Sequence, residues 1–201
     1  MFTVKKTFVI LCSFFFLFGE SNVVSGKVVV ESCKSLEAEK ILEGCSSFKG
    51  LSIKSRGGTV VNATNCDVLL PKKVFEKEPG INLPSAQDGK LYTLIVMDPD
   101  VKDHLPGFAF LHGLKSNIKG GDLKKGCAGT CAGTGIQPYL GPGPPKGTGI
   151  HRYMFLVYEQ EKEILDSKAP KRTKFNYVKW VKDNHLCGPK GGVQFRALFD
   201  I

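Results

Sequence analysis

Beyond its first 25 residues the chain lacks any run of eighteen uninterrupted apolar residues, so no later segment reads as a membrane-spanning helix. It also lacks an arginine-rich block. Its 28 Lys and Arg against 19 Asp and Glu are scattered, without interleaved aromatics. That pattern argues against nucleic-acid binding and for a generally solvated basic surface. The net charge of +9 favours acidic partners such as anionic membrane surfaces or glycans. No low-complexity linker divides the chain. Asp98, Asp100 and Asp103 lack the glycine and terminal glutamate of an EF-hand, and no metal site is expected. No serine or cysteine stands beside either of the two histidines singled out below, which argues against a histidine-activated nucleophile.

What is present begins with a targeting pattern. Lys5 and Lys6 precede an apolar run at residues 8–18, and small residues follow Val23 and Val24. This is the layout of a secretory signal peptide, with an apolar run too short to span a bilayer unaided. Residues 1–26 are therefore expected to be a signal peptide, and residues 27–201 one secreted, extracellular domain. Cleavage removes Lys5, Lys6 and Glu20, lowering the net charge from +9 to +8, and takes Cys12 as well. Cys33, Cys45, Cys66, Cys127, Cys131 and Cys187 remain, and an oxidising compartment predicts up to three disulfides among fifteen pairings. Cys127 and Cys131 head a small repeat, C-A-G-T-C-A-G-T, and are expected to pair with each other or with separate partners. Asn62-Ala63-Thr64 is an N-glycosylation sequon.

Removing 26 of 201 residues leaves 175, which suits one domain with a sizeable core. Ala38, Ile41, Leu42 and Cys45 share a helical stripe that turns Cys45 toward the core. Residues 51–55 and 59–61, separated by Arg56-Gly57-Gly58, read as strand, turn, strand, and residues 66–70 as a further strand. Pro79-Gly80, Pro84 and Asp88-Gly89 make residues 76–90 a loop. Residues 91–97 alternate as a strand with Tyr92, Leu94, Val96 and Asp98 on one face, and a carboxylate ending an apolar face needs a partner. In residues 108–114, the same alternation puts Phe108, Phe110, His112 and Leu114 together. Phe175, Val178 and Val181 mark a helix within residues 173–185, and residues 194–199 a closing strand. Many short strands, glycine turns and two modest helices predict a mainly antiparallel β domain.

The chemistry concentrates in residues 141–158, reading G-P-G-P-P-K-G-T-G-I-H-R-Y-M-F-L-V-Y. Four glycines and three prolines in the first nine positions combine positive-φ turns with fixed φ, a recipe for a shaped loop that holds N–H groups toward a ligand. The run that follows reads as a strand with His151, Tyr153, Phe155 and Val157 on one face and Arg152, Met154, Leu156 and Tyr158 on the other. Neither face is polar, so both are expected to be covered. His151 is then either part of an anion or polar-headgroup site or a hydrogen-bonded core histidine.

Three segments together resemble the phosphatidylethanolamine-binding protein family. Asp98-Pro99-Asp100 after the strand L-Y-T-L-I-V-M looks like its D-P-D motif, and His112 followed by Asn117-Ile118 is similar to its H-x-x-x-x-N-I strand. Residues 141–158 with Glu159-Gln160 resemble its G-x-G-P-P-x-G-T-G-x-H-R-Y block nearly residue for residue. The resemblance runs over roughly residues 51–200. It implies an antiparallel β-sandwich of that type, with a few short helices and a small pocket for phosphate-bearing or acetate-like groups. By position, Asp98, His112, His151, Tyr153 and the loop through Gly141, Gly143 and Pro145 would line it. The resemblance further implies a binding protein without a cofactor rather than an enzyme. Either it carries phospholipid headgroups or other small anions, with a role in modulating signalling, or it inhibits serine peptidases through its surface. Lys102 stands where the family usually has a cis proline, and Ala109 and Phe110 replace an acidic–tryptophan pair. An insertion carrying Cys127 and Cys131 precedes Tyr139, and the sequence stops at Ile201, short of a C-terminal helix that many animal members carry. These departures imply a reshaped D-P-D loop and a wider pocket mouth.

Overall fold

The structure is a computed structural model that describes residues 41, 43–47, 50–102, 105–165, 168–186 and 188–200. The expected signal peptide, Ala38 and Leu42 of the helical stripe, Asp103, Cys33 and Cys187 lie outside the described residues. Among the described residues ten strands carry the fold: β1 (Ser52–Lys54), β2 (Val60–Val61), β3 (Val68–Leu69), β4 (Gly80–Asn82), β5 (Leu91–Asp98), β6 (Phe108–Lys119), β7 (Thr134–Gln137), β8 (His151–Gln160), β9 (Phe175–Asn176) and β10 (Gly191–Ala197). Among the elements wholly within the described residues are two short α-helices, α1 (Gly120–Lys125) and α2 (Tyr177–Asp183). A small sheet runs β2-β1-β4 and a large one β3-β10-β8-β5-β6-β7, with β9 pairing onto β6. Every pair is antiparallel except β3 with β10. The mainly β, sandwich-type architecture follows.

Period two explains why the large sheet is covered twice. Tyr92, Leu94 and Val96 of β5 and Tyr153, Phe155 and Val157 of β8 point into one core, where they meet Leu51, Ile53, Val61, Ile81 and Leu83 from and beside the small sheet. Ile95, Met97, Met154, Leu156 and Tyr158 point the other way and meet Phe175, Tyr177 and Val181 around α2. Strands so enclosed read as apolar at nearly every position, as expected for residues 151–158. The stacked rings of Phe75, Phe195 and Tyr153 fill the first core directly below the polar cluster described next. Truncating Phe195 to alanine would leave a cavity costing about 3–5 kcal/mol.

Several elements differ from the sequence reading. Residues 76–90 are not one loop, because Gly80 opens β4. Gly80 lies so close to the Cys127 carbonyl that a Cβ would collide with it, so this glycine marks close backbone approach rather than a break. The helix of residues 173–185 begins only at Tyr177. Asn176 caps it, its Oδ1 accepting from Lys179 N at 2.8 Å, while Phe175 and Asn176 pair with β6 instead. The closing strand starts earlier than expected, at Gly191, where two glycines pair with Val157 and Leu156 of β8. Residues 120–125 are helical in a segment rich in glycine. Leu114 does not share a face with His112: Val96 pairs with Gly113 but Met97 with Leu111, so His112 is the extra residue of a β-bulge and the alternation flips there. Two disulfides lie among the described residues. Cys45–Cys66 ties the turn Gly44–Ser46 to the approach to β3, and Cys127 and Cys131 pair with each other.

Candidate functional site

Asp98 ends β5 and is 2% exposed. Pro99 offers no N–H, so the next one, on Asp100, turns back to Asp98 Oδ1 at 2.8 Å. Asp100 in turn grips the start of β8, accepting from Arg152 N (2.9 Å), Nε (2.8 Å) and Nη2 (2.6 Å). The D-P-D motif is therefore a hinge between two strands: its first carboxylate faces inward and its second clamps Arg152. Burial pushes the Asp100 carboxyl up, but the hydrogen bonds and charge of Arg152 outweigh it and hold the group below its ordinary value. At Asp98, burial outweighs the same kinds of stabilisation and the carboxyl is raised.

His151 meets Asp98 at the first turn of β8, Nδ1 lying 2.7 Å from Oδ2. Its Nε2 is 2.8 Å from Thr148 Oγ1, and Thr148 donates its single proton to the Pro145 carbonyl at 2.8 Å. Because a carbonyl only accepts, Thr148 accepts from His151 Nε2–H, and one further proton is shared between Nδ1 and Asp98. His151 is thus a core histidine with both nitrogens engaged, and it links Asp98 to the glycine-proline loop.

The bulge aims His112 at the same place. Leu140 N donates to the His112 carbonyl at 2.7 Å and His112 Nδ1–H donates to the Leu140 carbonyl at 2.8 Å, a two-bond clamp that fixes the tautomer. Neutral His112 therefore presents a bare Nε2. Burial lowers its proton affinity, opposed by the Leu140 carbonyl and the charge of Asp98. Its ring stands edge-on to Tyr153, with centroids 5.0 Å apart. Tyr153 Oη accepts from Gly143 N at 3.2 Å, and burial followed by the charge of Asp98 pushes its phenol up, so it stays protonated. Gly141 belongs to the same cluster through its carbonyl beside His112. It must be glycine, since a Cβ there would stand 2.6 Å from the Glu76 carbonyl oxygen.

Asp98, His112, His151, Tyr153, Gly141, Gly143 and Pro145 are thus all brought together. Four buried polar side chains, 1–5% exposed, form the floor, and the loop over them is mostly exposed. Beside this floor, across Gly141, lies an open cavity of about 540 Å³ lined by Arg56, Glu76, Glu78, Thr130 and Tyr139. The disulfide-closed insertion contributes Thr130, whose Oγ1 donates to Glu78 Oε2 at 2.8 Å. Sequence reasoning missed three contributors. Thr148 carried a weak signal as the one aliphatic hydroxyl in the block, and Tyr139, donating to the Phe75 carbonyl at 2.7 Å, carried none. Arg172 donates to the carbonyls of Leu111 (2.9 Å), His112 (3.1 Å) and Pro138 (2.7 Å), which braces the bulge from behind.

A family model described as phosphatidylethanolamine-binding protein matches residues 61–188. Among solved structures, the chain is similar to a carboxypeptidase Y inhibitor complexed with its cognate proteinase, at 24% identity and a TM-score of 0.58, covering 81% of this chain and 90% of that one. It is similar to a phosphatidylethanolamine-binding protein from Plasmodium vivax at 22% identity and a TM-score of 0.59, covering 75% and 85%. A phosphatidylethanolamine-binding protein from Plasmodium falciparum matches at 25% identity and a TM-score of 0.55, covering 74% and 84%.

Proposed function

Because the chain belongs to the phosphatidylethanolamine-binding protein family, we propose that it is a secreted binding protein whose pocket at Asp98, His112, His151 and Tyr153 accepts a phospholipid headgroup or another small phosphate-bearing anion. The observation that carries this reading is a buried polar floor under an exposed loop, where Tyr153 O–H and His112 Nε2 once protonated offer donors without a fixed lysine charge. Asp98 orients His151. Disulfides at Cys45–Cys66 and Cys127–Cys131 suit an oxidising compartment.

The protein is read as a carrier or modulator and not as an enzyme. Asp98, His151 and Thr148 line up as carboxylate, imidazole and hydroxyl, but the Thr148 proton goes to Pro145, so the hydroxyl accepts from the imidazole. Nucleophile activation needs the reverse direction.

Calorimetry with phosphoethanolamine tests the pocket. Affinity is expected between roughly millimolar and tens of micromolar, since only a headgroup is gripped. Tyr153→Phe, which removes one donor, and His151→Ala, which cuts the link to the loop, should both weaken it. If both variants bind as well as wild type with unchanged melting, or wild type does not bind, the reading fails. A second reading, peptidase inhibition through the surface, draws on the neighbour solved as an inhibitor with its proteinase. A screen against serine peptidases and serine carboxypeptidases decides it, because a pure carrier leaves them all active.

A further inference from the structure

On the face of the large sheet opposite the pocket, the segment running into α2 makes a second concave site. A groove of about 490 Å³ is lined by Lys171, Lys174, Lys179, Thr173, Asn176 and Trp180, with Phe175 and Asp183 completing it. Residues 168–182 hold five lysines and Arg172 with no acidic residue, interleaved with Phe175, Tyr177 and Trp180. The scattered-lysine reading therefore fails locally. Lys179 pairs with Asp183 at 2.6 Å, whereas Lys171 and Lys174 have no carboxylate within ion-pair distance among the described residues. Trp180 is half-buried, tilted 54° to Phe175 with centroids 6.5 Å apart, so its indole is recessed in the groove.

We propose that this groove binds a sulfated polysaccharide. Spaced lysine point charges match sulfates repeating along a chain, a recessed indole offers a flat surface to a sugar ring, and Thr173 and Asn176 supply polar partners for hydroxyls. A lipid surface fits less well. The exposed large apolar side chains among the described residues, such as Leu105, Ile150, Leu165 and Phe199, do not line this groove, so nothing protrudes there to enter a bilayer.

Trp180 is the single tryptophan of the chain, so its fluorescence reports on the groove alone. Titration of the purified protein with a heparin-derived sulfated oligosaccharide should change Trp180 emission saturably. The Lys171→Ala/Lys174→Ala variant should lose at least about tenfold in affinity, with a shallower salt dependence. Replacing Lys73 and Lys125, exposed lysines elsewhere, by alanine should change affinity by less than about twofold. The His112→Asn variant should bind like wild type, which separates this site from the pocket. The proposal is overturned if emission does not respond, or if the two lysine pairs matter equally and only net charge is at work. It is also overturned if His112→Asn abolishes binding, or if phosphatidylserine vesicles or an acidic peptide elicit as large a response as the oligosaccharide.

Discussion

Replacing His112 by asparagine tests the one proton the pocket must take up. Because Nδ1–H is committed to the Leu140 carbonyl, the neutral ring offers a lone pair at Nε2, and a phosphate dianion cannot use it until it is protonated. Burial holds the ring below its ordinary value of 6.5, so His112 is neutral at about pH 7.5 and each bound dianion brings in close to one proton. Linkage then raises affinity about tenfold, or about 1.4 kcal/mol, as pH falls by one unit from about 7.5. The rise ends near pH 6, where the phosphate takes its own second proton. The sign for the unliganded fold is opposite in consequence. A lowered folded value means the neutral ring contributes its full stability above about 6.5, and that stability declines as pH falls from there toward the folded value. Asparagine keeps an amide N–H for the Leu140 carbonyl but cannot titrate. Calorimetry in two buffers of different ionisation enthalpy, with phosphoethanolamine at about pH 7.2, counts protons directly. Wild type should take up about one and His112→Asn none, with the variant's affinity flat across the range. Binding by wild type without proton uptake, or a variant that keeps the slope, would refute the reasoning.

Loop closure gives about 3 kcal/mol for Cys45–Cys66, 21 residues apart, against about 2 kcal/mol for Cys127–Cys131, 4 apart. Replacing the first pair by alanine should therefore lower the melting temperature more, and the reverse ranking would show that the second pair staples the core. Arg152→Lys should cost about 1–2 kcal/mol in urea denaturation, because ammonium cannot reproduce the forked grip on Asp100. Since Asp100 is held low, its contribution is full above the ordinary carboxylate value and is lost as pH falls through the lower folded one. Asp100→Asn should thus be less stable than wild type at neutral pH and approach it in acid, and a constant gap would contradict the clamp. Expressed in a secretory host, the protein should begin near Gly26 or Lys27 and lose mass with an N-glycosidase acting at Asn62. Three or more alkylatable thiols without reduction would contradict the expected disulfides.

Local periodicity made much of this protein legible from its residues alone. A strand enclosed on both faces carries apolar side chains at nearly every position, so residues 91–97 and 151–158 declared themselves, and period two sorted Asp98, His151 and Tyr153 onto the side where they meet. The block around Gly141 and Pro145 was legible for a related reason: glycine and proline mark backbone shapes that few other residues adopt. Where pairing with a distant segment decided the outcome, the pattern misled or was silent. The bulge at His112 depends on register with β5, and it sent Leu114 to the other core. Gly80 reads as a breaker until the Cys127 carbonyl lies against it. Arg172 was indistinguishable from its lysine neighbours because its partners are backbone carbonyls 34 to 61 residues away, which have no side-chain identity to read. Sequence by itself therefore determined the two central strands, their faces and the carriers of the polar site. Only the tertiary structure decided which nitrogens are already spent and which proton must be taken up, because those depend on hydrogen bonds and approaches between segments that are neighbours in space alone.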